Sequence, residues 1–172
     1  MTNPSKLILA LAVLGLGAGL STALADDDRD GDGHERHFEA RLSPANEVPP
    51  VSSPARGRLR ATLNHAETEL QFTLSWEDLT VDATVAHIHF GPSRVNGGIM
   101  VFFCGGGGQP ACPAGTTATV TGTITAAHVI GPAGQGIEAG EFAEVVRAMR
   151  SQAYANVHNT RFPGGEIRGQ LN

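Results

Sequence analysis

Leu70, Phe72, Leu74 and Trp76 alternate with Gln71, Thr73 and Ser75. A strict period of two is what a strand with one buried face requires, because successive side chains point to opposite sides of a sheet. Leu59, Ala61 and Leu63 repeat the pattern against Arg58, Arg60 and Thr62, and the short segment "HAET" separates the two runs, which predicts a hairpin. In "TATVTGTIT", Val120 and Ile124 alternate with Thr119, Thr121, Thr123 and Thr125. "GIMVFF" reads as a nearly continuous apolar strand, and "GGEIRGQL" as a closing strand with Ile167 and Leu171 on one face. The chain's 22 glycines and 10 prolines fall mostly between these runs, as turns do. One segment breaks the period: Phe142, Val145, Val146 and Met149 recur at helical spacing within 140–151, which predicts one helix of about three turns. The pattern as a whole predicts an all-β sandwich crossed by a single short helix.

Residues 1–25 read differently. Lys6 precedes the apolar run "LILALAVLGLGAGL", and Ala23-Leu24-Ala25 supplies a small-residue cleavage pattern, the signature of a signal peptide. The expected mature chain is therefore exported, with no membrane segment. Residues 26–36 are acidic and almost without apolar side chains, which predicts a disordered linker before a domain over 37–172. Across the linker, Asp28, Asp30, Asp32, Gly33 and Glu39 fit the spacing of a twelve-residue calcium loop. Such loops lie between two helices. Here the incoming helix would be the signal peptide and "RHFEARLS" alternates like a strand, so a solubilising tail is the favoured account.

Cys104 and Cys112 bracket "GGGGQPA". A pair of cysteines in an exported chain predicts a disulfide, a thiolate metal pair being the alternative. Acidic residues outnumber basic ones, 17 to 12, and no basic cluster occurs. Nucleic acid and anionic lipid surfaces are therefore not expected partners, since both demand concentrated positive charge. No Ser-His-Asp set, phosphate-cradling loop or paired carboxylates can be assembled from the motifs.

The chemistry-bearing stretch is "ATVAHIHFG". On a strand, Ala86, Ile88 and Phe90 face the core, while Val85, His87 and His89 share the opposite face. Two imidazoles two residues apart can converge on one ion; they can equally be a solvated or hydrogen-bonded pair. In "AYANVHN", Tyr154, Asn156 and His158 share a face, which makes His158 the candidate third ligand or, alternatively, a residue that holds the following turn. Three neutral imidazoles suit copper or zinc. Glu166 is a candidate to orient a ligand imidazole, and Arg168 could guide an anion or simply pair with Glu166 at the surface.

"LSPANEVPPV", "AHIHFGP", "VNGGIMVFFC" and "YANVHNTRFPGGEIRGQL" together resemble the CHRD domain, named after chordin and found also in exported bacterial proteins. The resemblance covers about residues 37–172. It implies an immunoglobulin-like, Greek-key β-sandwich distantly similar to copper/zinc superoxide dismutase, in which His87 and His89 match a copper-ligand pair on a strand. The dismutase's zinc-site cluster of His and Asp has no counterpart here. Three functions follow as expectations: a binding or structural module of the cell envelope with a mononuclear copper or zinc site; a copper-dependent dismutase-like enzyme; or a metal-free protein-interaction domain. A protein or envelope partner is expected without being identified, and oligomeric state is left open.

Overall fold

The structure, a computed structural model, describes residues 35–172. The expected signal peptide, nearly all of the acidic linker, and Asp28, Asp30 and Asp32 of the calcium-loop pattern lie outside the described residues. The elements are β1 (Arg36–Leu42), β2 (Arg56–Leu63), β3 (Leu70–Glu77), β4 (Ala83–Phe90), β5 (Gly98–Cys104), β6 (Ala118–Ile124), α1 (Phe142–Met149), β7 (Ala153–Asn159) and β8 (Ile167–Gln170). β1 begins at Arg36, one residue inside the stretch expected to be linker.

The strands form two antiparallel sheets of four, ordered β1-β2-β3-β6 and β5-β4-β7-β8. β6 crosses from the second sheet to lie beside β3, and β7 returns to lie beside β4, which are Greek-key connections. The predicted hairpin is β2–β3, with Leu59 opposite Leu74 and Leu63 opposite Leu70. All four leucines and Trp76 are fully buried, as the period of two requires. Each such side chain contributes roughly 1.5–3 kcal/mol on leaving water. Across the sandwich, the Phe72 ring of β3 packs 4.7 Å from that of Phe103 on β5.

α1 has eight residues, about two turns rather than three. Gly140 ahead of it takes a positive φ of 86°, and beyond Met149 the Ser151 amide donates to the Ala148 carbonyl, a tighter bond that closes the last turn. Phe142, Val145, Val146 and Met149 are buried, the face its spacing marks. Cys104 and Cys112 form a disulfide that staples the end of β5 to the following loop.

The two sheets differ on their outer faces. That of the first carries Thr73, Thr119, Thr121 and Thr123 to solvent, whereas every residue of β7 is buried on both sides. Long connections cover the second sheet. Asn46 Nδ2 donates to the Arg168 carbonyl, Asn96 Nδ2 to the Val48 carbonyl and Gln170 Nε2 to the Gly91 carbonyl. The segments around 44–51, 91–97 and 160–165 thereby roof the face on which the histidines stand.

Candidate metal centre

The β4–β7 register sets His87 opposite Asn156, His89 opposite Tyr154 and Val85 opposite His158. All five polar side chains named here therefore project from one face, each two residues from the next along its strand. The His87 ring centroid is 4.4 Å from that of His89 and 4.5 Å from that of His158. One nitrogen from each ring can be chosen so that all three lie within 4.8 Å of one another. Three atoms at that limit sit at most about 2.8 Å from a common centre, against roughly 2.0–2.1 Å for a Zn–N bond. Binding an ion would draw each nitrogen inward by at most about 0.8 Å.

Burial was not expected of this face. His87 is 4% exposed, and His89 and His158 are 8% exposed. Each ring nevertheless keeps a buried nitrogen with no hydrogen-bond partner: Nδ1 of His87 and Nε2 of His89 and His158. The other nitrogen of two rings is fixed. His89 Nδ1 donates to the Gly97 carbonyl at 2.8 Å, and His158 Nδ1 to the Pro163 carbonyl at 3.0 Å. Those donors leave the Nε2 lone pairs free. A backbone carbonyl holding the far nitrogen of an imidazole is the usual support of a metal-ligating histidine. Desolvation pushes His87 down to about 2, with the nearby His158 and His89 adding to the fall. It pushes His89 down to about 4 against the opposing pull of the Gly97 carbonyl, and His158 down likewise against that of Pro163. At neutral pH the cluster is uncharged and its lone pairs are available.

A family model, that of the CHRD domain, matches residues 38–171. The chain belongs to the CHRD family. No curated protein and no solved structure matches it. The family assignment covers the sandwich and the histidine cluster together, so the cluster belongs to the CHRD domain proper and not to an appendage.

Around the cluster, the CHRD domain is organised by groups that strand periodicity did not single out. The Tyr154 ring stacks on His89 at 4.6 Å with 9° between planes, and the Arg168 guanidinium lies 3.3 Å from the centroid of the Tyr154 ring. Gly97 ties the stack together: its N–H donates to Tyr154 Oη while its carbonyl accepts from His89. A Cβ there would lie 1.7 Å from the Phe90 carbonyl oxygen, so position 97 admits only glycine. Arg168 is 2% exposed and donates to Asn96 Oδ1 and to the Pro92 and Val95 carbonyls. It is neither at the surface nor paired with Glu166. Glu166 is fully buried and accepts from Thr80 N, Thr80 Oγ1 and Asn159 Nδ2, so it ties the β3–β4 connection to β7 and orients no imidazole. Backbone carbonyls do that work instead. Glu39, the twelfth position of the calcium pattern, stands on β1 in ion pairs with Arg58 and Arg60. Where a calcium loop would need an outgoing helix there is the expected strand, with Phe38, Ala40 and Leu42 alternating into the core. Of the remaining histidines, His65 is exposed on the β2–β3 loop, His37 meets Thr62 Oγ1, and His128 accepts from the Thr125 amide.

Glu47 is the acid that the sequence did not flag. It is 4% exposed, its Oε1 has no partner, and its carboxylate packs against Gly165, where a Cβ would fall 2.4 Å from Oε1. Burial pushes it up to about 7, with the positive charge of Arg168 opposing. A folded pKa above the unfolded one contributes stability below about pH 4.5 that is lost as pH rises through about 7. Glu47→Gln removes that titration. Its stability relative to the wild type should improve by roughly 2–3 kcal/mol between pH 4 and pH 8. Urea denaturation at the two pH values checks this; parallel stability–pH curves would refute it.

Proposed function

We propose that this chain is an exported CHRD domain that holds one copper or zinc ion through His87, His89 and His158. The observation that carries the reading is a buried cluster of three imidazoles that can bring one nitrogen each within 4.8 Å of the others, every ring keeping a buried nitrogen without a hydrogen-bond partner. Leaving a buried polar atom unpaired costs about 1–3 kcal/mol, and here three such atoms share one small space. A cation accepts all three lone pairs at once. Uncharged imidazoles suit copper and zinc, and the absence of a proton to displace favours binding at neutral pH. An ion there would supply a positive centre that pins β4 to β7. The disulfide between Cys104 and Cys112 is consistent with an oxidising compartment and so with export.

The test is metal analysis of the purified protein after reconstitution with copper and with zinc, beside the double variant His87→Ala/His89→Ala. One equivalent retained through gel filtration by the wild type and lost by the variant supports the site. A correctly folded wild type that retains neither metal overturns it.

A further inference from the structure

Asn156 stands on β7 between Tyr154 and His158, on the same face and directly opposite His87. It is 3% exposed, and its Oδ1 is buried without a hydrogen-bond partner. The strand register sets its amide beside the His87 and His89 rings, on the face they share. Its neighbour on the other side offers no relief: Arg168 lies opposite Asn156 on β8, but its guanidinium is committed to Asn96, Pro92, Val95 and the Tyr154 ring.

The unsatisfied atoms on this face are thus an amide carbonyl oxygen and three imidazole nitrogens. Two of those nitrogens are lone-pair acceptors because the opposite ring nitrogen already donates to a backbone carbonyl. The amide oxygen and these two nitrogens are acceptors and cannot satisfy one another. The His87 ring has a single proton to give, which serves one of the three, whereas a cation meets every lone pair directly.

Building on the three-histidine reading, we propose that Asn156 Oδ1 is the fourth donor, so that the ion is held by three nitrogens and one oxygen with no open position. Four protein donors around a tetrahedral ion characterise sites that hold a metal, while sites that turn over a substrate keep one position for water or substrate. The harder amide oxygen also favours a divalent ion such as zinc over monovalent copper. The domain on this account is a zinc-stapled module and not a dismutase-like catalyst.

Cobalt(II) is the probe, because its visible absorption reports coordination number, and azide is the test for an open position. The wild type should give an intense tetrahedral cobalt spectrum that azide leaves unchanged. Asn156→Leu, which keeps the branched skeleton and removes the oxygen, should bind cobalt roughly 10–100-fold more weakly and acquire an azide-dependent spectrum. Asn156→Asp restores an oxygen donor and should be insensitive to azide, which guards against misreading a variant that folds poorly. Unchanged affinity and spectrum in Asn156→Leu overturn the fourth-donor assignment and leave the three-histidine site standing. An azide response in the wild type does the same. A wild type that binds neither cobalt nor zinc overturns both.

Discussion

Saturating the metal-free domain with zinc should raise its melting temperature by roughly 10 °C. A ligand at a thousand times its dissociation constant stabilises the folded state by about 4 kcal/mol, and a domain of this size gains roughly 2–4 °C per kcal/mol. The shift should vanish in His87→Ala/His89→Ala. Its pH dependence follows from the sign of the histidine shifts. His87 and His89 have folded values below the usual one of 6.5, so the stability they contribute is present above 6.5 and is lost as pH falls toward their folded values of about 2 and about 4 respectively. The metal-free domain should therefore weaken between pH 7 and pH 4, the histidines together outweighing the opposite change at Glu47. The zinc-dependent shift should persist at pH 5.5, where three solvent-exposed histidines would be largely protonated. Differential scanning calorimetry with and without zinc at both pH values is the measurement, and a zinc effect equal in wild type and double variant would sink the idea.

Arg168→Ala should cost about 3–5 kcal/mol, the range for removing one partner from a buried charged network. The guanidinium holds two carbonyls of the 91–97 connection and the Asn96 amide, and it lies on the Tyr154 ring. Truncation leaves these acceptors buried and unpaired and removes the positive charge nearest Glu47. Arg168→Lys should recover little, because an ammonium cannot span three acceptors from one plane. A fall of less than 1 kcal/mol in denaturant unfolding for Arg168→Ala would show that the roof over the second sheet is held by other contacts.

Much of the sandwich could be read from periodicity, because Leu59, Leu63, Leu70 and Leu74 each obey a rule that spans only neighbouring residues. The same rule placed His87, His89 and His158 on one face of their strands. It did not foresee that this face is buried, since alternation implies one dry side and one wet side. What dries the outer side is distant in sequence: the 44–51 and 91–97 connections that fold back over β7 and β8. For the same reason the sequence alone leaves Arg168 as either an anion guide or a surface partner of Glu166. Glu47 carried one faint signal, a lone acid in the proline-rich apolar stretch "ANEVPPV" with no base beside it. The partners that orient His89 and His158 are main-chain carbonyls, and a sequence gives no side-chain sign of those.

β7 occupies an interior place in its sheet, with all seven residues buried. Amides in such a strand exchange with solvent only when the whole domain opens, whereas exposed connections open at far lower cost. Traffic to the histidines must then run through the roof and never through the strands. Within that roof, Gly97 and Pro163 supply the carbonyls that hold the tautomers of His89 and His158. Lifting either segment would admit an ion and release a ring from its lock in the same movement, so capture and escape are each coupled to the step that prepares the ligand.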